Sequence, residues 1–177
     1  VRYHDGSDWV IDAFPANTDQ PPVTVLHGDA LYIFWRNQTT SAIEGGYYDL
    51  SGGWHGIDLT GLDITTDGAF DATVFDDTLA LAFNESGETT LSIAQCDAAG
   101  PCSGDPSSWV TYGSGDYTLD LGLTTLPGTG VDASSGVAGT DGAEYLFALL
   151  SDQTQAARLR VARIDASGSV VETVAMP

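Results

Sequence analysis

The sequence contains no lysine, a single methionine and only two cysteines. Its five basic residues, all arginine, stand against 25 Asp and Glu, which gives a formal net charge of -20 over 177 residues. Phosphate backbones and anionic lipid surfaces repel such a chain, so nucleic acid and membranes are poor partners. Its apolar runs are far shorter than the roughly 20 residues of a membrane-spanning helix. The charge favours solubility in a saline habitat over a cation-binding role, although composition alone leaves both open.

The two cysteines predict a small disulfide loop. Cys96 and Cys102 flank Asp-Ala-Ala-Gly-Pro, a turn-forming insert that brings the two sulfurs to bridging distance. Two thiolates alone leave a zinc site two ligands short, and the three histidines stand at no ligand-like spacing from them, so we expect no metal site here. A disulfide indicates an oxidising location: secreted, periplasmic or on the cell surface. Since the chain begins with valine and has no apolar signal core, we expect a processed or excised piece.

A repeat runs through the whole chain. Three hairpins share one pattern, in which a strand of small residues, an Asp/Gly turn and a strongly apolar strand follow one another. These hairpins span residues 24–35, 73–83 and 137–148. A third strand and a fourth short strand follow each hairpin. The predicted fourth strands begin at Trp54, Trp109 and Val170. The N-terminal segment reads like the end of one more repeat, with its last strand beginning at Trp9.

Four strands per repeat, with no helical periodicity, predict an all-β protein built from β-propeller blades. The middle strands of a blade are covered on both faces, which explains why residues 31–35, 79–83 and 145–150 are apolar without alternation. A β-sandwich or jelly roll is the alternative, but it predicts cleaner alternation of apolar and polar residues.

The repeat predicts that residues 1–177 form one propeller domain or part of one. We predict the end of a blade at 1–15 and three four-stranded antiparallel blades at 16–62, 63–124 and 125–177. Closed propellers need about four to eight blades, so about three and a half leave open edges that invite pairing with another chain. The chain is then a fragment, a subunit of a homo-oligomer, or a four-bladed ring with an irregular last blade. We favour a piece of a larger propeller or assembly.

Segments 72–83 and 91–102, followed by Trp109, resemble the blade repeat of bacterial secreted sialidase-like and lectin-like β-propellers. The Asp-box of that family has the form Ser-x-Asp-x-Gly-x-Thr-Trp. Segments 5–9 and 49–54 keep an Asp, a Gly and a Trp of this motif without its full spacing. The resemblance therefore implies the propeller fold more than an activity.

Catalytic groups of the sialidase type are scarce. Arg158 and Arg160 share one face of a predicted strand, but we interpret them as partners of the abundant Asp rather than as a carboxylate clamp. Glu44 lies near Tyr47 and Tyr48, where it could activate a tyrosine, yet the intervening glycine pair equally predicts a β-bulge. No nucleophile elbow or phosphate-binding loop is present. We predict no catalytic residues and no enzyme.

Carbohydrate binding requires fewer specific residues than catalysis: an exposed aromatic face and a few polar groups. The candidate ligand-binding residues are Trp9, Tyr47, Tyr48, Trp54, His55 and Trp109. For the recurring tryptophans, packing between consecutive blades is the first explanation. We predict no cofactor; the Asp-rich stretch 63–68 is interpreted as capped β-turns, with a calcium site as the less favoured alternative.

These observations predict a non-enzymatic, extracytoplasmic binding module that recognises a glycan in a lectin-like manner or a protein partner. The alternative is a structural subunit that docks on a larger extracellular or periplasmic assembly through its open edges. A sialidase-like glycoside hydrolase is the third hypothesis.

Overall fold

The computed structural model describes residues 2–4, 7–11, 16–49, 53–96, 102–112, 116–125, 131–137, 143–152 and 158–176. In this part of the chain, an N-terminal ribbon of two strands precedes three four-stranded antiparallel sheets. The ribbon pairs β1 (Arg2–His4) with β2 (Trp9–Ile11). Blade 1 consists of β3 (Val23–His27), β4 (Ala30–Arg36), β5 (Ile43–Asp49) and β6 (Trp54–Ile57). Blade 2 consists of β7 (Asp71–Phe75), β8 (Thr78–Asn84), β9 (Thr90–Cys96) and β10 (Leu119–Thr124). Blade 3 consists of β11 (Asp132–Val137), β12 (Glu144–Asp152), β13 (Arg158–Ile164) and β14 (Val170–Ala175).

The predicted fold class is confirmed. Each blade pairs its four strands in chain order, and the first strands of successive blades contact one another, β3 with β7 and β7 with β11. Such a row of first strands is expected next to a propeller axis, with the other strands extending outward. The predicted blade limits at 16–62, 63–124 and 125–177, and their union in one domain, stay predictions.

Tight turns set the register of the blades. Asp76 and Asp77 connect β7 to β8 with φ of 50° and 57°, and Gly28 begins the equivalent turn of blade 1 with φ of 56°. Left-handed conformations of this kind suit two-residue hairpin turns, and Asp and Gly tolerate them best. In blades 1 and 2 these residues are therefore the turns that the sequence predicts, and the corresponding pair Asp141-Gly142 of blade 3 lies outside the described residues.

The hydrophobic core lies between the blades. On β8, Leu79, Leu81 and Phe83 pack in a cluster shared with blade 1. Ala80 and Ala82 of the same strand belong to a second cluster shared with blade 3. Because successive side chains of a strand point to opposite faces, a strand between two blades must be apolar at every position. This explains the unbroken apolar runs of the middle strands.

The predicted strand at Trp109 is wrong. Trp109 makes only an isolated bridge to Cys96, after a short 3-10 turn at Pro106–Ser108, and the fourth strand of blade 2 is β10. The Cys96–Cys102 disulfide is present, and Trp109 packs in the same core cluster as its two cysteines. Trp54 and Val170, in contrast, do open the fourth strands of blades 1 and 3. No helix among the described residues has the length and apolar character to cross a membrane.

Candidate functional site

Four of the six residues predicted as a ligand site lie on two faces of blade 1. Tyr47 stacks on His55 with ring centroids 4.8 Å apart, on the face toward blade 2. Tyr48 meets Trp54 at 5.2 Å on the opposite face. The split follows from strand geometry, because adjacent residues of β5 and β6 alternate between faces. The four side chains therefore do not converge on one ligand, and a binding role for either pair stays a prediction.

Trp54 lines a cavity of about 250 Å³ with Trp35 and Glu44. Its indole lies over Gly46, where any Cβ would collide with the ring. The pairing of β4 with β5 is regular through both glycines, so the predicted bulge at this pair is absent. Glu44 accepts the Trp35 indole N–H at 2.9 Å, which makes it a partner of a buried ring rather than an activator of a tyrosine.

The other predicted tryptophans occupy different surroundings. Trp109 is 3% exposed, and its indole N–H donates to the Ser103 carbonyl at 2.9 Å. A ring enclosed in this way packs between blades and presents no face to a sugar. Trp9 lies on β2, opposite His4, and its side chain falls outside the described part of the chain.

The arginines form local contacts. Arg36 bonds to Asp19 at 3.2 Å and to the Thr66 carbonyl at 2.7 Å, in blade 1. Arg163 meets Glu172 at 3.6 Å and covers the Tyr145 ring at 4.7 Å, in blade 3. Since these two cations lie in different blades and bind their own neighbours, they do not form a carboxylate clamp together.

A cavity of about 730 Å³ lies at blade 2 and has an acidic lining. Asp63, Glu85, Asp116 and Asp120 line it beside two tyrosines. Burial raises the pKa of one of these, Tyr112, to about 12, so its hydroxyl stays protonated and donates to the Gln95 side chain at 2.6 Å. Within the described ranges, no three His, Cys, Asp or Glu side chains are arranged to hold a metal ion.

Two carboxylates mark the beginnings of adjacent first strands. Val23, Asp71 and Asp132 are the first residues of β3, β7 and β11, so each holds the same place at the start of the first strand of its blade. Asp71 points toward blade 3, where its Oδ2 accepts the backbone N–H of Ala133 at 2.8 Å. Its Oδ1 accepts the N–H of Ala72, also at 2.8 Å. The carboxyl group of Asp71 is therefore held in a defined orientation between two first strands.

The surroundings change the acidity of Asp71. Burial raises its pKa above the ordinary value, and the nearby carboxylate of Asp132 acts in the same direction. The two backbone N–H donors act against this effect without reversing it. Asp132 itself is exposed to solvent. Two neighbouring carboxyl groups in such different environments are suited to separate acid and base roles.

The sequence-based prediction missed this pair, although a signal is present. Residues 70–73 and 131–134 both follow the pattern apolar, Asp, Ala, Thr or Ser, and both begin a first strand. The Asp/Gly pairs of the repeat, Asp76-Asp77 and Asp141-Gly142, follow the two aspartates at different distances along the sequence. What they share is the first position of the first strand, which the strand boundaries show.

Comparisons with known proteins support the fold. No family model matches the sequence, and no curated protein matches it significantly. An α-L-arabinofuranosidase from Lactobacillus brevis is similar in structure, with a TM-score of 0.50 and 13% identity over 87% of this chain and 52% of that chain. An exo-β-1,3-galactanase from Phanerochaete chrysosporium, solved with β-1,3-galactotriose, gives a TM-score of 0.51 and 15% identity over 88% of this chain and 37% of that chain. The chain thus spans about half or less of these solved chains, which are glycoside hydrolases with a five-bladed β-propeller fold.

This comparison contradicts the prediction that the chain belongs to no enzyme, because the solved structures that share its fold are glycoside hydrolases. The prediction weighed the groups that a sialidase needs, a nucleophile elbow and a phosphate-binding loop, whereas other glycosidases use a pair of carboxylates. Neither solved structure is a sialidase, so the comparison supports propeller blades but not the sialidase-type repeat in particular.

Proposed function

We propose that this chain is part of a carbohydrate-active propeller, and that Asp71 and Asp132 act on a glycosidic bond held near the beginnings of the first strands. The observation that carries this proposal is the carboxyl pair, at one structural position of adjacent blades. The fold adds support, since the solved structures similar to it act on arabinofuranosides and β-1,3-galactans by their names.

The two carboxyl groups divide the chemistry of hydrolysis between them. Asp71, whose pKa is raised by burial, keeps a proton at higher pH than an ordinary carboxyl group and donates it to the leaving oxygen as the C–O bond breaks. Asp132, exposed to solvent, acts as the carboxylate that removes a proton from the attacking water. The products are a free sugar with a new anomeric hydroxyl and the released alcohol.

The substrate follows from charge and from the similar proteins. A chain with a net charge of -20 disfavours acidic polysaccharides, so we propose neutral glycosides. The first substrates to test are aryl α-L-arabinofuranosides and aryl β-D-galactosides, which match the names of the similar enzymes. The secreted, periplasmic or surface location that the disulfide favours suits a protein that meets polysaccharide.

The test is release of the aryl alcohol by the full-length protein, compared with two variants. Asp71→Asn and Asp132→Asn should each lower the rate by at least about 100-fold, since a positioned proton-transfer group contributes about that much. Asp29→Asn is the matched control, because Asp29 is exposed at the turn after β3, away from the beginnings of the first strands. Full activity in both variants, or no release by the unaltered protein from either substrate, would overturn the proposal.

A further inference from the structure

The cavity of about 730 Å³ at blade 2 lies on the side of the sheet that faces blade 1. Asp120, one of its lining residues, pairs with Ser92, and Ser92 pairs with Phe83. Side chains directly opposite one another in a sheet point to the same face, and Phe83 belongs to the core cluster shared with blade 1. Residues 61–63, which follow the last strand of blade 1, line the cavity from the other side.

This cavity is separate from the carboxyl pair of the proposed function. Asp71 lies on β7, the first strand of blade 2, and Asp120 lies on β10, the last strand of the same sheet. Three strand spacings separate them, which amounts to about 14 Å. The two side chains also point to opposite faces, since Asp71 contacts Ala133 of blade 3. A short ligand in the cavity therefore contacts a different set of residues from a ligand held at Asp71.

Carboxylates supply hydrogen-bond acceptors in the cavity. Oδ1 of Asp120 accepts the N–H of Gly122 at 2.6 Å, which orients this carboxylate where the pairing of β10 with β9 is interrupted. Its Oδ2, like the carboxylates of Asp63 and Glu85, makes no hydrogen bond to a described residue. Each carboxylate oxygen accepts bonds from hydroxyl donors, which sugars carry in number. The cavity thus offers acceptors that the protein itself leaves unused.

A buried hydroxyl beside Asp120 is unsatisfied. Ser92 is 0% exposed, and its Oγ has no hydrogen-bond partner among the described residues. It lies directly opposite Asp120, on the same face of the sheet as the cavity. Buried polar groups are nearly always paired, so an unpaired hydroxyl at this place indicates that a further polar group, a water or a ligand hydroxyl, fits there.

Two tyrosines supply the aromatic part of the cavity. Tyr117 is half-buried and packs against the core cluster of blades 1 and 2. The hydroxyl of Tyr112 donates to the Gln95 side chain, which fixes the position of the ring. Fixed aromatic rings beside acceptors suit sugars, because their C–H faces stack on the ring while their hydroxyls donate. The volume also lies within the roughly 300–1,000 Å³ of small-molecule sites.

We propose that this cavity is a second glycan-binding site, which holds a short neutral oligosaccharide away from the carboxyl pair. The choice of a glycan rests on the carbohydrate-active role of the proposed function. Charge selects a neutral one, because four carboxylates and no basic side chain are among the described lining residues, and they repel an acidic sugar. A metal ion fits less well, since no three described side chains of suitable type are arranged to hold it.

The experiment is isothermal titration calorimetry with the Asp71→Asn protein, which keeps the cavity but lacks the proposed proton donor. The probes are β-1,3-galactotriose and an arabinofuranosyl trisaccharide, with glucosamine as a cationic probe. Glu85→Ala removes an acceptor from the cavity. Glu88→Ala is the matched control, because Glu88 lies in the same loop between β8 and β9, is exposed and does not line the cavity. Circular dichroism checks that each variant is folded.

We expect Glu85→Ala to weaken the binding of a trisaccharide by at least about tenfold, the effect of one lost hydrogen bond to a charged group, and Glu88→Ala to leave it unchanged. Should Glu85→Ala not fold, Tyr117→Leu tests the same site, because it removes the ring and keeps an apolar side chain against the core.

Equal binding by the Glu85 and Glu88 variants, or binding of neither trisaccharide, would overturn the second site. Binding of glucosamine in place of both trisaccharides would overturn the neutral ligand in favour of a cationic one. Hydrolysis is tested separately through Asp71 and Asp132, which do not line the cavity. Trisaccharide binding that depends on Glu85, without any hydrolysis, would therefore refute the proposed chemistry and leave this site in place.

Discussion

The interface between blades 1 and 2 and the outer face of blade 3, which is the side of that sheet pointing away from blade 2, use equivalent sides of their sheets. Among the described residues, the first is buried and the second is partly exposed. In the interface, Tyr32 and Phe34 are 0% exposed and stack with ring centroids 6.1 Å apart. Phe147 and Leu149, at the equivalent positions of blade 3, are only partly buried. The strands are similar in apolar character, so the difference comes from the neighbouring sheet. Burial in this fold is a property of pairs of blades rather than of a single blade.

The covered interface also contains contacts that the open face lacks among the described residues. The Cys96–Cys102 disulfide of blade 2 is completely buried there. The backbone N–H of Cys102 donates to the Tyr32 hydroxyl of blade 1 at 2.7 Å. A turn-rich insert of one blade thus becomes part of the core that it shares with its neighbour. We expect substitutions in this interface to lower stability more than equivalent ones on the outer face.

The largest difference should come from truncating an interface ring. Phe34 packs over Gly45, which has no side chain to fill the space that the ring leaves. We expect Phe34→Ala to lower the free energy of unfolding by about 3–5 kcal/mol, because it combines lost burial with a residual cavity. Urea unfolding followed by fluorescence measures the change, and Phe34→Leu serves if the alanine variant does not fold.

Leu159→Ala on the outer face of blade 3 is the matched control for this prediction. Its side chain is 46% exposed, so we expect a loss below about 1 kcal/mol in the 177-residue chain. Equal losses for Phe34→Ala and Leu159→Ala would contradict the contrast between covered and open faces.

The disulfide should make the next largest contribution. Replacing both Cys96 and Cys102 by alanine removes a covalent constraint across a sequence separation of 6 and two buried side chains. We expect a loss of about 2–4 kcal/mol in the free energy of unfolding, with the sheets retained. Far-ultraviolet circular dichroism checks the sheets and urea unfolding gives the energy. A loss near zero would show that the covalent link adds nothing to the interface.

The repeat predicted the fold well because it depends on local signals. Turn pairs such as Asp76-Asp77 and apolar middle strands were sufficient to indicate blades, and the strand openings at Trp54 and Val170 follow the prediction. The opening at Trp109 failed because the disulfide-linked insert delays the last strand of blade 2 until Leu119. Composition does not show how far such an insert displaces a strand.

The candidate site was harder to predict because it depends on register. Tyr47 and Tyr48 are adjacent in sequence, yet they lie on opposite faces of one strand. Asp71 and Asp132 are far apart in sequence, yet both open the first strand of a blade, which only the strand boundaries of the structure reveal. Residue type and proximity along the chain therefore indicated the chemistry of carbohydrate binding, but not the place where side chains converge.

A smaller effect should follow from the hydrogen bond across the covered interface. Tyr32→Phe keeps the ring in its stack but leaves the buried N–H of Cys102 without its acceptor. We expect a loss of about 1–3 kcal/mol in the free energy of unfolding, the cost of one unsatisfied buried group. Tyr32→Phe with unchanged stability would mean that water replaces the hydroxyl and that this contact does not hold the blades together.

The smallest effect is a dependence on pH that separates the two equivalent aspartates. Burial raises the pKa of Asp71 above its ordinary value of 3.8, so the folded chain binds this proton more tightly than the unfolded chain does. The resulting stabilisation is complete below the unfolded pKa and is lost as the pH rises through the folded pKa.

Asp71→Asn removes this titration. The stability of the unaltered chain relative to Asp71→Asn should therefore fall as the pH rises from about 3 toward neutrality, as measured by urea unfolding at each pH. Asp132→Asn is the control and should keep most of the pH-dependent contribution of Asp71, because burial raises that pKa more than the Asp132 carboxylate does. A relative stability of Asp71→Asn that does not vary with pH, or varies in the opposite direction, would show that the two N–H donors outweigh burial and that coverage by blade 3 does not make Asp71 a weaker acid.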